Sequence, residues 1–253
     1  MSFTFNVAVA ASNGVTITSS MVCCVAYLYK YRWRHMKARP LVDSILIIAL
    51  TVLIFALQVA YPKVLEALRL NVVGLKSGEW WRLVSPVFVQ PYGAFQFLFN
   101  MMFLVVLLPM AERLYGTKVW LLYLLPGVVG QLENIGWKPG GGGSSTAVFG
   151  LMGAILVYVL WHRKVAPKQY PIFAILGLCG AVVMIFTHDG HGPGLLTGAA
   201  LAALICWLSP SEQPNNALQA TCEDARACAL ALDRIKRAEC ELRSFLQASS
   251  GEL

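Results

Sequence analysis

Long runs of apolar residues, with few polar interruptions, fill most of the sequence between residues 41 and 208. Each run approaches the roughly 20 residues that a helix needs to cross a bilayer. A transmembrane β-barrel would instead show strands of about ten residues with alternating polarity. The pattern therefore predicts an all-α membrane protein with six spanning helices joined by short connections. The predicted spans are Val42–Tyr61, Ala94–Met110, Val119–Leu132, Ser145–Trp161, Pro171–Thr187 and Gly192–Leu208.

The chain is predicted to have three parts of different character. Residues 1–40 hold a short apolar run and a basic block, which we interpret as an N-terminal segment with a candidate extra transmembrane helix and a cytoplasmic loop. Residues 41–208 form the transmembrane domain, in which the mixed stretch 62–93 is expected to lie in the membrane interface. Residues 209–253 are polar, with apolar residues at three- and four-residue steps. That spacing predicts a cytoplasmic tail with an amphipathic helix or a short coiled-coil contact.

Composition and charge agree with the prediction of a membrane protein. Of the 253 residues, 57% are hydrophobic and only 13% are charged, whereas soluble domains contain about 25% charged residues. The basic residues behind the net charge of +7 cluster beside the apolar runs, as the positive-inside rule describes, and this placement argues against a nucleic-acid partner. Basic loops at 112–118 and 162–168 are predicted to be cytoplasmic. Since successive spans alternate in direction, the spans that begin near Ser145 and His191 are then both expected to start at the non-cytoplasmic side of the membrane.

Ser145 and His191 are the candidate catalytic residues. A nucleophilic hydroxyl and a titratable base are expensive at membrane depth, which makes their presence there a functional hypothesis. Histidine can accept the proton of a serine within hydrogen-bond reach, although a serine at a helix start is more often only an N-cap. Close approach of the two helices needs small facing residues. Such residues follow both positions: Gly150, Gly153 and Ala154 after Ser145, and Gly194 and Gly198 after His191.

Four motifs, taken in their order along the chain, resemble those of the rhomboid family of intramembrane serine proteases over residues 40–208. In the family they are the Trp-Arg signature of the first loop, the turn after the second helix, the segment of the catalytic serine and the helix of the catalytic histidine. The matching segments are Glu79-x-Trp81-Arg82, Glu112-Arg113-x-x-Gly116, Ser145–Ala154 and His191-x-x-Gly194-x-x-x-Gly198. We interpret the first two motifs as structural.

This resemblance implies a rhomboid-like bundle of six transmembrane helices that cleaves peptide bonds in or near transmembrane segments of membrane proteins. It implies Ser145 as the nucleophile and His191 as the general base of a dyad that requires no Asp. The oxyanion would be held by the serine backbone N–H, by Asn100 and by the residue four positions earlier, which is His in the family and Gln96 here. The implied substrates are transmembrane proteins, and no cofactor is implied. The seven cysteines contain no CxxC pair, so the sequence indicates no zinc site.

Two departures from the family pattern leave a second function open. Gln96 still offers an amide donor, whereas Thr146 stands where the family usually has Gly, and its β-branched side chain is expected to crowd the Ser145–His191 pair. The alternative function is a catalytically inactive rhomboid-like protein that binds transmembrane clients. Asn100 also has a second interpretation, as an interhelical hydrogen bond. A bacterial inner membrane is the simplest location, because no Arg-rich transit peptide is visible, and eukaryotic secretory membranes are the next alternative. The oligomeric state is left open.

Overall fold

The structure, a computed structural model, describes residues 41–137, 141–164 and 168–208. The N-terminal segment 1–40, with its candidate extra helix, and the C-terminal tail 209–253 lie outside the described residues. The boundaries of these two parts therefore stay predictions. Within the described ranges the regular structure is entirely helical, as the apolar pattern predicts.

Eight α-helices make up the described part of the chain. In chain order they are α1 (Val42–Ala60), α2 (Pro62–Leu68), α3 (Val72–Lys76), α4 (Gly93–Tyr115), α5 (Val119–Trp137), α6 (Ser145–Trp161), α7 (Gln169–Phe186) and α8 (His191–Leu208). Six of them, α1 and α4 to α8, contain 17 to 23 residues and correspond to the six predicted spans. The short helices α2 and α3, with the 3-10 turns Trp80–Leu83 and Ser85–Val87, form the mixed stretch before α4.

Several of these helices are long and apolar enough to cross a bilayer. Among the described residues, four stretches meet this condition by length and composition: Val42–Ala60, Gly93–Glu133, Gln169–Phe186 and His191–Leu208. The second of them contains α4 and most of α5. Helix α6 has 17 residues and is shorter, and most of its side chains are buried against other helices. The helix that begins with Ser145 is therefore the most enclosed part of the bundle.

Helix α4 extends beyond its predicted end. The apolar run predicts an end at Met110, but the helix continues to Tyr115 and stops at Gly116, whose φ is +63°. Glu112 and Arg113 therefore lie in the last turns of α4 and not in a connection, so this part of the prediction is wrong. The helix can include Glu112 because its carboxylate accepts hydrogen bonds from backbone N–H groups of α1.

Glu112 caps the first turn of α1. Leu41, at the N-cap position, provides no side-chain hydrogen bond. Instead, the Glu112 carboxylate accepts the backbone N–H of Ser44 at 2.7 Å and that of Asp43 at 3.1 Å. A carboxylate here satisfies N–H groups that lack an intrahelical partner, and it interacts favourably with the helix dipole. The Asp43 carboxylate in turn accepts the indole N–H of Trp120 at 2.8 Å, so α1, α4 and α5 are joined at this end.

Glu112→Ala is expected to lower the free energy of unfolding by about 1–3 kcal/mol, because two N–H groups lose a charged acceptor. The measurement is an SDS titration of the purified protein in detergent, with loss of helical structure followed by circular dichroism. Glu133→Ala is the matched control, because Glu133 is an exposed carboxylate on α5. Equal stabilities of the two variants would contradict the capping role.

Arg82 holds together the stretch between α1 and α4. Its side chain is buried and donates from Nη1 to the carbonyl oxygens of Glu66 at 2.7 Å and Arg69 at 2.9 Å. The guanidinium also pairs with the carboxylate of Glu79. The neighbouring Trp81 is half exposed, and its indole N–H donates to a carbonyl oxygen of α2. These contacts support the structural interpretation of the Trp-Arg motif.

Candidate active site

A glycine turn leads into α6 and sets the position of Ser145. Gly143 has a φ of +134°, a region that residues with a side chain rarely adopt. A Cβ at this position would lie 2.3 Å from Gln96 Nε2, so the Gln96 amide would have to move away from the turn. The Gly143 N–H donates to the carbonyl oxygen of Pro86 at 2.8 Å, and its own carbonyl accepts a hydrogen from Gln131 Nε2 at 3.0 Å. The backbone before Ser145 is thus held from two sides.

Ser145 and His191 begin α6 and α8 and meet although they are 46 positions apart. Ser145 Oγ lies 2.9 Å from His191 Nε2, within hydrogen-bond distance. Both residues are partly buried. When Nε2 carries no proton, the serine hydroxyl is the donor in this bond. The structure therefore brings together the two residues that the sequence analysis names as candidate nucleophile and base.

Glycines allow the backbones of α6 and α8 to touch. A Cβ on Gly198 would lie 2.0 Å from the carbonyl oxygen of Gly150. Gly153 and Gly194 likewise face backbone atoms of the partner helix, where an added Cβ would lie 2.0 Å and 2.7 Å from a carbonyl oxygen. Side chains at these positions would force the two helices apart. Gly153, Gly194 and Gly198 therefore allow the close approach that the Ser–His contact requires, whereas a Cβ on Gly150 would meet Pro126 on α5.

Asp189 is a third polar residue at this site. Its Oδ1 lies 2.5 Å from His191 Nδ1 and also accepts the His191 backbone N–H at 3.1 Å. The resemblance implies a dyad that requires no Asp, whereas the structure places a carboxylate on the imidazole. The sequence contains a signal for the bond to the backbone N–H, because an Asp just before a helix often accepts hydrogen bonds from the first N–H groups. Ser145, His191 and Asp189 form one continuous string of hydrogen bonds.

Phe149 covers one side of the imidazole. It lies one turn after Ser145 on α6, and its ring centroid is 4.7 Å from that of His191, with an angle of 43° between the planes. This contact limits rotation of the imidazole away from Ser145. In the sequence, Phe149 belongs to the serine segment, and no local pattern indicates a role for its ring.

Gln90 supports the turn before the serine from the stretch that precedes α4. It is fully buried, and its side chain accepts a hydrogen from Asn100 Nδ2 at 2.8 Å and donates to Ser144 Oγ at 2.9 Å. Its backbone N–H and carbonyl pair with the Gln58 side chain at 3.0 Å and 2.9 Å. The second interpretation of Asn100 expects a hydrogen bond to another helix. The structure instead shows a bond from Asn100 to Gln90, in the stretch that precedes α4. No sequence motif marks position 90, because two of its partners, Gln58 and Ser144, come from distant parts of the chain.

The two departures from the family pattern lie in different surroundings. Gln96 Oε1 accepts the Tyr92 N–H at 3.0 Å, and Nε2 donates to the carbonyl oxygen of Gly142 at 3.3 Å, beside the turn before the serine. Thr146 is buried, and its hydroxyl donates to the carbonyl oxygen of Gly127 on α5 at 3.2 Å. The Thr146 side chain thus faces α5 and not the Ser–His pair. The expectation that it crowds the pair is wrong.

The arrangement can pass a proton from a hydroxyl to an imidazole. A serine activated by a neighbouring histidine is a nucleophile for acyl transfer. The first N–H groups of α6 lie beside this serine and have no intrahelical partner, so they are able to stabilise a negative charge. In the described ranges, no group of three or more His, Cys, Asp or Glu side chains could hold a metal ion.

Comparison with known proteins places these residues in a family. A family model described as the rhomboid domain matches residues 77–208, just over half of the chain. Two similar proteins come from Bacillus subtilis (strain 168). The one named "Putative rhomboid protease YdcA" is 32% identical over 141 residues, which cover 52% of this chain and 70% of the relative. The other, "Rhomboid protease GluP", is 32% identical over 138 residues, which cover 52% of this chain and 27% of the relative.

The range matched by the family model ends with α8, so it includes Ser145, Asp189 and His191. The resemblance found in the sequence, and with it the prediction of a rhomboid-like helical membrane bundle, is confirmed. With four stretches apolar enough to cross a bilayer, the chain is a membrane protein that belongs to the rhomboid family.

Proposed function

We propose that this protein is an intramembrane serine endopeptidase that cleaves peptide bonds in or near transmembrane segments of membrane proteins. The names of both relatives include rhomboid protease, and membership of the family supports intramembrane protease function in general. The observation that carries the proposal is the 2.9 Å contact between Ser145 Oγ and His191 Nε2. We assign Ser145 as the nucleophile and His191 as the general base.

The proposed reaction begins with a proton transfer within this pair. His191 Nε2 accepts the hydroxyl proton of Ser145 while Oγ attacks the scissile carbonyl carbon, and a tetrahedral intermediate forms. The imidazolium then gives the proton to the leaving amine, the peptide C–N bond breaks, and an acyl-enzyme ester remains. A water molecule that loses its proton to the same imidazole hydrolyses this ester and restores the serine hydroxyl.

The start of α6 is the proposed site of oxyanion stabilisation. Ser144 makes no side-chain capping bond, so the first N–H groups of the helix and the positive end of its dipole are available for a negative charge. Asn100 and Gln96 are the proposed additional donors. Each amide nitrogen makes one hydrogen bond, to Gln90 Oε1 or to the carbonyl oxygen of Gly142, and carries a second hydrogen that we assign to the oxyanion. Removal of one such donor typically lowers the rate by about 10²–10³-fold.

The proposed substrates are transmembrane proteins, and the proposed location is the bacterial inner membrane. Hydrolysis requires water at the serine, and the side chains of His191 and Asp189 are each 33% exposed, which supports access of water to the pair. The basic segments 112–118 and 162–168 are predicted to be cytoplasmic, which would place this opening on the opposite side of the membrane. No cofactor and no nucleic-acid partner is part of the proposal.

A catalytically inactive rhomboid-like protein is the less favoured alternative. Gln96 and Thr146 motivated it, but Gln96 keeps an amide donor beside the serine turn, and the Thr146 side chain faces α5. The names of both relatives describe proteases. The alternative requires that a cell carrying Ser145→Ala behaves like one carrying the wild-type protein, and a loss of phenotype in that cell would reject it.

A serine-reactive fluorophosphonate is expected to label the wild-type protein in detergent and to leave Ser145→Ala unlabelled, because the reagent reacts with an activated serine hydroxyl. The measurement is fluorescence of the protein band after incubation with the probe. Ser144→Ala is the matched control, since it makes the same change one residue earlier. The Ser144 hydroxyl accepts a hydrogen from Gln90 and not from a base, so this variant is expected to be labelled. Labelling that persists in Ser145→Ala, or that is absent in the wild type, would contradict the proposal.

A further inference from the structure

The carboxylate of Asp189 makes two contacts with one residue. Its Oδ1 lies 2.5 Å from His191 Nδ1, on the opposite side of the ring from Ser145, and 3.1 Å from the backbone nitrogen of His191. The ring nitrogen that faces Ser145 is Nε2. Both nitrogens of the imidazole are therefore engaged, one by a carboxylate and one by the candidate nucleophile.

The backbone around Asp189 is held firmly, so these contacts do not depend on a free loop. The Asp189 N–H donates to the carbonyl oxygen of Met184 at 3.0 Å, and the Asp189 carbonyl accepts the Gly192 N–H at 3.0 Å. The residue before it, His188, has a φ of +55°, which residues with a side chain adopt rarely. These bonds hold the backbone of the turn between α7 and α8 at a position from which the carboxylate reaches the imidazole.

We infer that Asp189 is a positioning residue for the proposed reaction, through its contact with His191 Nδ1. This inference rests on the proposed function and adds a third member to the pair that the family resemblance implies. The carboxylate accepts the Nδ1 hydrogen, which keeps the lone pair of the neutral imidazole on Nε2, towards Ser145. It also stabilises the positive charge that forms on the ring when the serine proton arrives.

Imidazole chemistry explains why this contact affects the rate. A neutral imidazole carries its hydrogen on either nitrogen, and only the form with the hydrogen on Nδ1 can accept a proton at Nε2. In a buried Ser-His-Asp triad, neutralising the Asp lowers kcat by about 10⁴-fold. The side chains of Asp189 and His191 are each 33% exposed. Since water screens the charge at this site, we expect loss of the carboxylate to lower kcat by a smaller factor, about 10–100-fold.

The same carboxylate oxygen also caps α8, so a purely structural role must be separated from positioning. Asp189→Ser keeps an oxygen that can accept the His191 N–H, since Ser is a good capping residue, but its side chain is too short to hold Nδ1. Asp189→Asn keeps the length of the side chain without its charge. For both variants we expect a thermal midpoint close to that of the wild type. We also expect a reduced kcat and a KM within about twofold of the wild-type value for a single-span reporter.

Nitrogen NMR provides a readout that does not require turnover. The full-length protein is labelled with ¹⁵N-histidine, and its spectrum is recorded in detergent micelles at about pH 8, where an ordinary imidazole is neutral. His191→Ala identifies the signals of His191 among the four histidines. In the wild type we expect a protonated Nδ1 and an unprotonated Nε2, and in Asp189→Ser a mixture of both forms.

An unchanged kcat in Asp189→Ser, or identical His191 nitrogen signals in that variant and the wild type, would overturn the inference. These results differ from those that would reject the proposed function. A wild-type protein that neither reacts with fluorophosphonate nor cleaves a reporter would reject the protease proposal. The nitrogen spectrum of the same preparation would still decide whether Asp189 fixes the imidazole.

Discussion

Ser145→Ala and His191→Ala are each expected to lower kcat for a single-span reporter by about four to six orders of magnitude, and the double variant is expected to lose no more than either single variant. The reason is that the hydroxyl and the imidazole act as one unit, with Oγ 2.9 Å from Nε2. Without the imidazole the hydroxyl keeps its proton, and without the hydroxyl the imidazole has no nucleophile to activate. The second removal therefore takes away a function that is already lost.

The measurement is the initial rate of reporter cleavage by the purified protein in liposomes. His162→Phe is the matched control, because His162 follows the far end of α6. A Phe ring can keep the stacking on Tyr158, although the hydrogen bond between Nδ1 and the Tyr158 carbonyl oxygen is lost. This control is expected to cleave the reporter at a rate close to that of the wild type. Full activity in His191→Ala, or a large additional loss in the double variant, would refute the assigned pair.

Gly198→Leu is expected to lower the free energy of unfolding by about 3 kcal/mol or more and to abolish fluorophosphonate labelling. A Cβ at this position would lie 2.0 Å from the carbonyl oxygen of Gly150. Because that atom belongs to the backbone, no change of rotamer relieves the clash, and α8 must move away from α6. His191 begins α8 and Ser145 begins α6, so the same movement separates the two reacting groups.

Ala200→Leu is the matched control for this substitution. Ala200 is an exposed residue on α8, two positions after Gly198, so the same side chain is introduced on the outer face of the same helix. We expect an SDS titration to give a stability close to that of the wild type for the control, and rapid labelling by the probe. If Gly198→Leu resembled Ala200→Leu in both measurements, contact between the helix backbones would not be needed to bring the site together.

The arrangement of helices and the central contact could be predicted from the sequence because both depend on simple patterns. Continuous apolar runs identified the six long helices, and glycines after Ser145 and His191 indicated that two helices could touch. The end of α4 was placed too early, since Glu112 appears as a polar residue that should end a span. Its carboxylate is satisfied by the N–H groups of α1, and no local pattern reveals a contact across about 70 residues of chain.

Two residues of the site are not among the predicted site residues, for different physical reasons. Gln90 lies in an irregular stretch, and its partners, Gln58, Asn100 and Ser144, are brought to it only by the tertiary fold. The contact of Asp189 with His191 is local, and an Asp just before a helix is a recognisable capping signal. The sequence therefore contained enough to suggest the Asp189 contact, whereas the Gln90 network required the coordinates.

The Gln90 network has a consequence for how this protein can change over generations. One primary amide gives a hydrogen to Ser144 and takes one from Asn100, and both neighbours are buried. Glu at this position would lose the donor, and an apolar residue would leave two buried polar groups without partners, which costs about 1–3 kcal/mol for each group. A tolerated substitution of Gln90 should therefore be accompanied by substitutions of Asn100 or Ser144, so we expect these three positions to covary among related sequences.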